Sequence, residues 1–405
     1  MTVTTTTLTL SVLFMTIVAA MGATPLPIIQ VEGTHYTVGF QAGVARKHAI
    51  QNFTSHYPNL IQTLIPFVHN TPEGAQAFRS LITAVRSSFP QYLEELRGLA
   101  AGANVDEETL QILNLENELT TLLRISTSSA SPSPRLNEDC SDVLMGNIRA
   151  LAHNEDGYNE VGDGAYLLQA KIRDPAFNSH HAFTAYCYPG YVAGIAFGFS
   201  DAGLGFSCNA EFPQSVNLDG IGDAFLSRHV LASSSIDDAI ARATSFPAAN
   251  GHSFNIISFP PTTSDSAGRE KHHVRVVNIE ASANGTSVLP VEVESPSSII
   301  KNGVLFHFNE YRHLPGVNQF IDTSSMERLA VASTLPLPDS QRSALAILGN
   351  HQNPRWPIYR NSHPPDYFST LATAYFSTTN RTMSVWVRTN PSLSPPDLIF
   401  PIPSS

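Results

Sequence analysis

The spacing of apolar positions divides the chain into a front with helical period and a remainder with strand period. Between residues 34 and 125 four stretches predict helices. "THYTVGFQAGVARKHAIQNF" opens on a threonine suited to cap a helix N-terminus. "TPEGAQAFRSLITAVRSSFP" repeats apolar residues at helical spacing and stops at proline. "PQYLEELRGLAAGANV" begins with proline, and "DEETLQILNLENEL" places acids in its first turn, where the helix dipole favours them. Residues 126–139 are rich in Ser and Pro and read as a linker.

Beyond residue 140 the pattern becomes that of strands. "DVLMGNIRAL", "GAYLLQAKIR", "HAFTAYCYP" and "YVAGIAFGFSDAGLGFSCNA" are apolar and aromatic, with turn signals between them. "FSDAGLGF" predicts a hairpin turn at Asp201 and Gly203, and Tyr188-Pro189-Gly190 a second turn. The Gly-rich stretch lacks the following helix and lysine that a phosphate cradle needs. "HNEDGYNEVGDG" reads as a polar loop in which Asn154 caps a turn. "SSIDDAIARATSF", "SMERLAVAST" and "DSQRSALAILGN" predict helices, and "HSFNIISF", "VRVVNIEA" and "GVLFHFNEY" strands. "STLATAYFSTTNRTMSVWV" closes the chain as a strand pair around "TTN". There is no internal repeat. A helical front followed by antiparallel strands with inserted helices predicts an α+β layered fold.

Composition and charge narrow the function. The chain has 405 residues, 42% of them hydrophobic, enough for one large domain or two smaller ones. It carries 23 Lys+Arg against 34 Asp+Glu, a net charge of −11, with no basic run. Nucleic acid is therefore excluded as a partner. The apolar run "LTLSVLFMTIVAAM" is too short to span a bilayer and leads into the small residues "AAMGA", so residues 1–22 read as a cleaved signal peptide. No Lys or Arg precedes the run, unlike the usual signal. The expected location is secreted or lumenal, with no membrane span after signal removal. Sequons at Asn52, Asn284 and Asn380 fit that route as glycosylation sites.

The three cysteines are Cys140, Cys187 and Cys208. Cys187 and Cys208 lie in strand-like runs; they either pair or pack as small hydrophobes, the second being the default. No Cys/His spacing fits a zinc site. Cys140 is different. It follows "STSSASPSPRLNED" and immediately precedes a strand. If the Asp139–Cys140 bond is cut, Cys140 gains an α-amine with a pKa of about 7.7–8.0 beside its thiol. Nucleophile and base then reside in one residue, the logic of N-terminal nucleophiles. No separate histidine is needed, and His153 reads as a structural residue.

Cys140 followed by "HNED" at residues 153–156 resembles the family of fungal isopenicillin-N acyltransferase (peptidase C45). "GTHYTVGFQAG", "SFPQYLEELRGLAAGA", "YPGYVAGIAFGFSDAGLGFSCNA", "GHSFNI" and "FHFNEYRHLPG" resemble its insect N-β-alanyl-dopamine hydrolase branch more than the fungal enzyme. The resemblance runs from about residue 30 to 385. It implies a four-layer αββα N-terminal-nucleophile hydrolase without a cofactor. It also implies self-cleavage into a helical α chain, 23–139, and a catalytic β chain, 140–405, that stay associated. Cys140 would attack a small-molecule amide and pass through an acyl-thioester. Asp156 would orient the nucleophile and its amine. Asn309 would supply an oxyanion donor worth roughly 3–4 kcal/mol of barrier. Glu155 or Glu211 would pair with a cationic substrate amine, Asn209 would line the pocket, and Arg360 is the nearest counterpart of a late family arginine.

Three features depart from the family, one being that its late arginine has no clear counterpart near "YFSTLATAY". Asp139 stands where relatives often have Gly, and Asp142 where they carry Ser or Thr. The departures at Asp139 and Asp142 motivate one alternative, a non-catalytic secreted binding protein on the same scaffold; the other alternative is an acyltransferase of the isopenicillin-N type, with a thiol or amine in place of water as acceptor. A papain-type peptidase lacks its expected sequence context.

Overall fold

A computed structural model describes residues 26–126, 138–260, 263–264, 270–271 and 274–403. The signal-peptide segment and most of the linker lie outside the described residues. The front of the chain is helical after one strand. β1 (Ile28–Gly33) leads into α1 (His35–His56), α2 (Ile65–Asn70), α3 (Pro72–Ser88), α4 (Pro90–Ala103), α5 (Glu107–Leu113) and α6 (Glu116–Ser126). Then come β2 (Glu138–Met145), β3 (Ala150–Gly157), α7 (Asn159–Gly162), β4 (Tyr166–Asp174), β5 (Ser179–Cys187), β6 (Phe197–Ser200) and β7 (Leu204–Glu211). α8 (Asp223–Leu231) and α9 (Ile236–Thr244) precede β8 (Gly251–Ser258), β9 (Thr263–Ser264), β10 (Glu270–Lys271), β11 (Val276–Ser282), β12 (Gly285–Pro290) and β13 (Val304–His307). α10 (Thr323–Thr334), α11 (Gln341–Leu348), β14 (Ser369–Ser377), β15 (Thr382–Val387) and β16 (Leu398–Pro401) complete the chain.

Two large sheets face each other. One has eight strands in the order β1-β4-β5-β6-β7-β8-β11-β12, the other six in the order β13-β2-β3-β14-β15-β16. Helices α1, α8 and α9 pack on the first, and α10 and α11 on the second, which gives the expected αββα layering. The caps follow the sequence: Thr34 accepts from Thr37 N at the start of α1, Ser235 from Asp238 N at α9, and Ser340 forms a capping box at α11. α1 and α4 touch backbone to backbone. A Cβ on Gly39 would lie 1.9 Å from the Glu95 carbonyl oxygen, and one on Gly98 would lie 2.1 Å from that of Tyr36. The glycines of "GFQAG" and "RGLAAG" are what permit this approach.

Several expectations are corrected. The front is not purely helical: β1 pairs in parallel with β4, Ile28 opposite Leu167. "HNEDGYNEVGDG" is not a loop throughout, because its first five residues belong to β3, every residue of which is buried. Asn154 accordingly caps no turn. The strand at Cys140 begins at Glu138, four residues before the expected start at Asp142, so the Asp139–Cys140 bond lies within β2. Cys187 and Cys208, by contrast, follow the default expectation: they do not pair, and both are buried thiols in the core.

Candidate active site

The β2–β3 hairpin positions the candidate chemistry. In register, Cys140 stands opposite Glu155, Asp142 opposite His153, and Asp139 opposite Asp156. Side chains alternate along a strand. Cys140, Asp142, His153 and Glu155 therefore point between the sheets, while Asp139, Ser141, Asn154 and Asp156 point toward α10 and α11. Both faces are buried, so polar groups on either side must find partners inside the protein.

On the inter-sheet face, the Cys140 thiol lies 3.8 Å from Glu155 Oε2. The His153 ring bridges two carboxylates, with Nδ1 2.9 Å from Asp142 Oδ2 and Nε2 2.9 Å from Glu155 Oε2. Burial lowers the His153 pKa, but the Asp142 and Glu155 carboxylates outweigh it and raise it to about 10. The ring is thus a cation that ties the hairpin together. Tyr188 donates its hydroxyl to Glu155 Oε1 at 2.6 Å. Asp142 accepts from Ser207 Oγ (2.5 Å) and Asn209 Nδ2 (2.7 Å) on the facing sheet. The ladder continues outward: Asn255 donates to Asn209 Oδ1, and Asn278 to Asn255 Oδ1, each at 2.7 Å.

On the helix face, Asp139 is clamped by Arg328 and Arg360. Burial raises its pKa, but the two guanidiniums prevail and hold it below the usual carboxylate range. Arg328 is fully buried and reaches further. It donates to the Cys140 carbonyl (2.5 Å), Ser141 Oγ (2.8 Å) and Asn309 Oδ1 (3.1 Å). Arg360 also pairs with Asp366 at 2.6 and 2.8 Å. Beside Asp139 lies a cavity of about 240 Å³, bounded by Arg124, Phe212, Trp356, Arg360 and Phe368.

The structure brings some of the expected residues to Cys140 and not others. Asn309 is there: its Oδ1 accepts from the Cys140 backbone N–H at 2.8 Å, while its Nδ2 donates to the Ala210 carbonyl at 2.9 Å. In this arrangement Asn309 holds the nitrogen that cleavage would turn into the α-amine. Asp156 is not brought to the thiol. It faces the helical layer and takes Thr370 Oγ1 at 2.6 Å. Burial raises its pKa to about 7, with Arg360 and Arg328 offsetting part of the effect. Asn209 supports Asp142 rather than lining the cavity, and Glu155 is occupied by His153 and Tyr188. Arg360 grips Asp139, the residue before the expected cut. The sequon residues Asn52, Asn284 and Asn380 are exposed, the last two at hairpin turns.

Sequence reasoning missed Arg328, Ser207, Asn255, Glu280 and His307, and it treated Tyr188 only as part of a turn. Among the described residues, two triads have ligand atoms close enough to hold a metal ion: Cys140, His153 and Glu155, and Glu211, Glu280 and His307. In the first, both ring nitrogens of His153 are already taken by carboxylates.

The site thus centres on a buried cysteine near the start of β2, its amide held by an asparagine. Residues 143–391 match the family of acyl-coenzyme A:6-aminopenicillanic acid acyl-transferase, and the chain belongs to that family. It is an enzyme of the N-terminal-nucleophile hydrolase/acyltransferase kind. It is 26% identical over 389 residues to beta-alanyl-dopamine/carcinine hydrolase of Drosophila melanogaster, covering 93% of this chain and 96% of that protein. Among solved structures it resembles a variant of conjugated bile acid hydrolase from Clostridium perfringens, at 10% identity and a TM-score of 0.31, covering 61% of this chain and 89% of that one. Penicillin V acylase from Agrobacterium tumefaciens matches at 12% identity and a TM-score of 0.32, covering 63% and 84%.

Proposed function

We propose that the protein is a secreted, self-processing amidohydrolase that cleaves small N-acyl amines, β-alanyl conjugates such as N-β-alanyl-dopamine or β-alanyl-histamine foremost. The observation that carries this reading is the similarity to the Drosophila β-alanyl-amine hydrolase along nearly the full length of both chains. Processing starts when Cys140 Sγ attacks the Asp139 carbonyl carbon. The C–N bond breaks, and the Cys140 nitrogen becomes an amine. Water then hydrolyses the thioester, leaving Asp139 as a carboxylate and Cys140 with a thiol. In turnover the α-amine takes the thiol proton as sulfur attacks the substrate carbonyl, and passes it to the departing amine. Water gives its hydroxyl to the acyl carbon and its proton back to sulfur through the same amine, releasing β-alanine. Asn309 Oδ1 holds that amine in place.

The test is release of free dopamine from N-β-alanyl-dopamine by the purified protein. Turnover is expected; no turnover of any β-alanyl amide contradicts the substrate class. The acyltransferase reading is favoured by the family's own description. It predicts that an added acceptor amine captures the acyl group in proportion to its concentration. The hydrolase reading predicts free β-alanine throughout.

A further inference from the structure

The Cys140 thiol faces the inter-sheet layer, so an acyl group on it must enter that layer. Most carboxylates near it are committed. Glu155 takes His153 and Tyr188, Asp142 takes His153, Ser207 and Asn209, and Asp139 lies on the other face between two arginines. Glu211 is the exception. It is fully buried, and among the described residues neither of its carboxylate oxygens accepts a hydrogen bond. Its Oε1 lies 3.5 Å from His307 Nε2, which is 3.0 Å from Glu280 Oε1. Glu280 is fixed in turn by the backbone N–H groups of Arg312, His313 and Leu314 at 2.6 to 2.9 Å.

This cluster adjoins the nucleophile. Glu211 follows Ala210, whose carbonyl takes Asn309 Nδ2, and the other end of that amide takes the Cys140 N–H. His307 stands opposite Asp142 in register. It is therefore a diagonal neighbour of Cys140, roughly 7–8 Å away between backbones. In a β-alanyl group three bonds separate the ammonium nitrogen from the carbonyl carbon, a reach of about 4 Å. A carbonyl at the sulfur thus brings the ammonium to the neighbourhood of Glu211.

On the functional reading above, we propose that Glu211, backed by Glu280 and His307, receives the ammonium group of the β-alanyl acyl chain and selects for it. An uncharged acyl chain leaves Glu211 buried without a partner, so it gains nothing from the site.

The experiment compares N-β-alanyl-dopamine with N-propionyl-dopamine, which lacks only the ammonium group, in the wild type and in Glu211→Gln. In Glu211→Gln, kcat/KM for the β-alanyl substrate is expected to fall about 100-fold, with the propionyl substrate changed by no more than about threefold. Glu211→Asp keeps the charge on a shorter arm and is expected to retain part of the preference. A wild-type arm needs no variant: β-alaninamide should compete at least about tenfold better than propionamide. Equal competition, or a Glu211→Gln enzyme that keeps its preference while still cleaving β-alanyl-dopamine, overturns this assignment and leaves the functional reading standing. So does a stoichiometric divalent metal ion in the purified protein that Glu211→Gln loses. A wild-type protein that cleaves neither substrate removes the functional reading and this inference with it.

Discussion

Replacing Cys140 with alanine lowers amide turnover by on the order of 10⁴-fold, to what binding and polarising contacts alone can supply. On the proposed mechanism the Cys140 sulfur forms the acyl intermediate, and no second cysteine can stand in for it, since Cys187 and Cys208 lie in other strands of the opposite sheet. Removal of Sγ deletes a small buried group, and Glu155, which lies 3.8 Å from it, remains satisfied by His153 and Tyr188. The variant is therefore expected to fold, and circular dichroism checks that it does. Cys140→Ser keeps a weaker nucleophile beside the same nitrogen and should retain slow processing. Turnover by Cys140→Ala within tenfold of wild type would show that the chemistry lies elsewhere.

The second large effect is on stability. In a Cys140→Ala background, which keeps the chain in one piece, Asp142→Leu is expected to cost about 3–5 kcal/mol in urea denaturation. It strips one counter-ion from the buried His153 cation and leaves the donors of Ser207 and Asn209 without their acceptor. The pH dependence has a definite sign. Burial alone would lower the His153 pKa, but the two carboxylates raise it to about 10, above the ordinary 6.5. The stabilisation this gives is complete below about pH 6.5 and drains away as pH rises toward 10. In Asp142→Leu that alkaline loss should shrink, because one of the two groups raising the pKa is gone. Equal stability of the two proteins at pH 6 would remove the imidazolium from the account.

The helices of the front half were legible because their caps and apolar spacing agree with their tertiary roles. Thr34 caps α1 where the sequence places it, and beyond the front half Ser235 does the same for α9. The hairpin at Gly203 was legible for a local reason, its φ of +68°. β3 was not legible. Its polar run "HNED" has no apolar face, because its side chains find polar partners inside the protein: His153 in Asp142 and Glu155, Glu155 also in Tyr188, Asn154 in the Leu348 and Ile358 carbonyls, and Asp156 in Thr370. β1 escaped notice because it pairs with β4, far along the chain. Cys140 drew notice through its linker context, and the structure places it against Asn309 and Glu155. Arg328 was not legible: in "SMERLAV" an arginine reads as the solvated face of a helix, and only the fold turns it inward onto the Cys140 carbonyl. The inter-sheet ladder of Asn209, Asn255 and Asn278 hid for a related reason. It comes from three strands, and spacing within any one of them carries no sign of it.

The most direct test of the N-terminal-nucleophile account is the intact mass and N-terminal sequence of the purified protein. The account predicts two associated chains, one starting at Cys140 and the other starting near Ala23 and ending at Asp139, with Cys140→Ala left uncut at the internal site. A single wild-type chain that retains the Asp139–Cys140 bond, with a Cys140 thiol inert to alkylation, would contradict it.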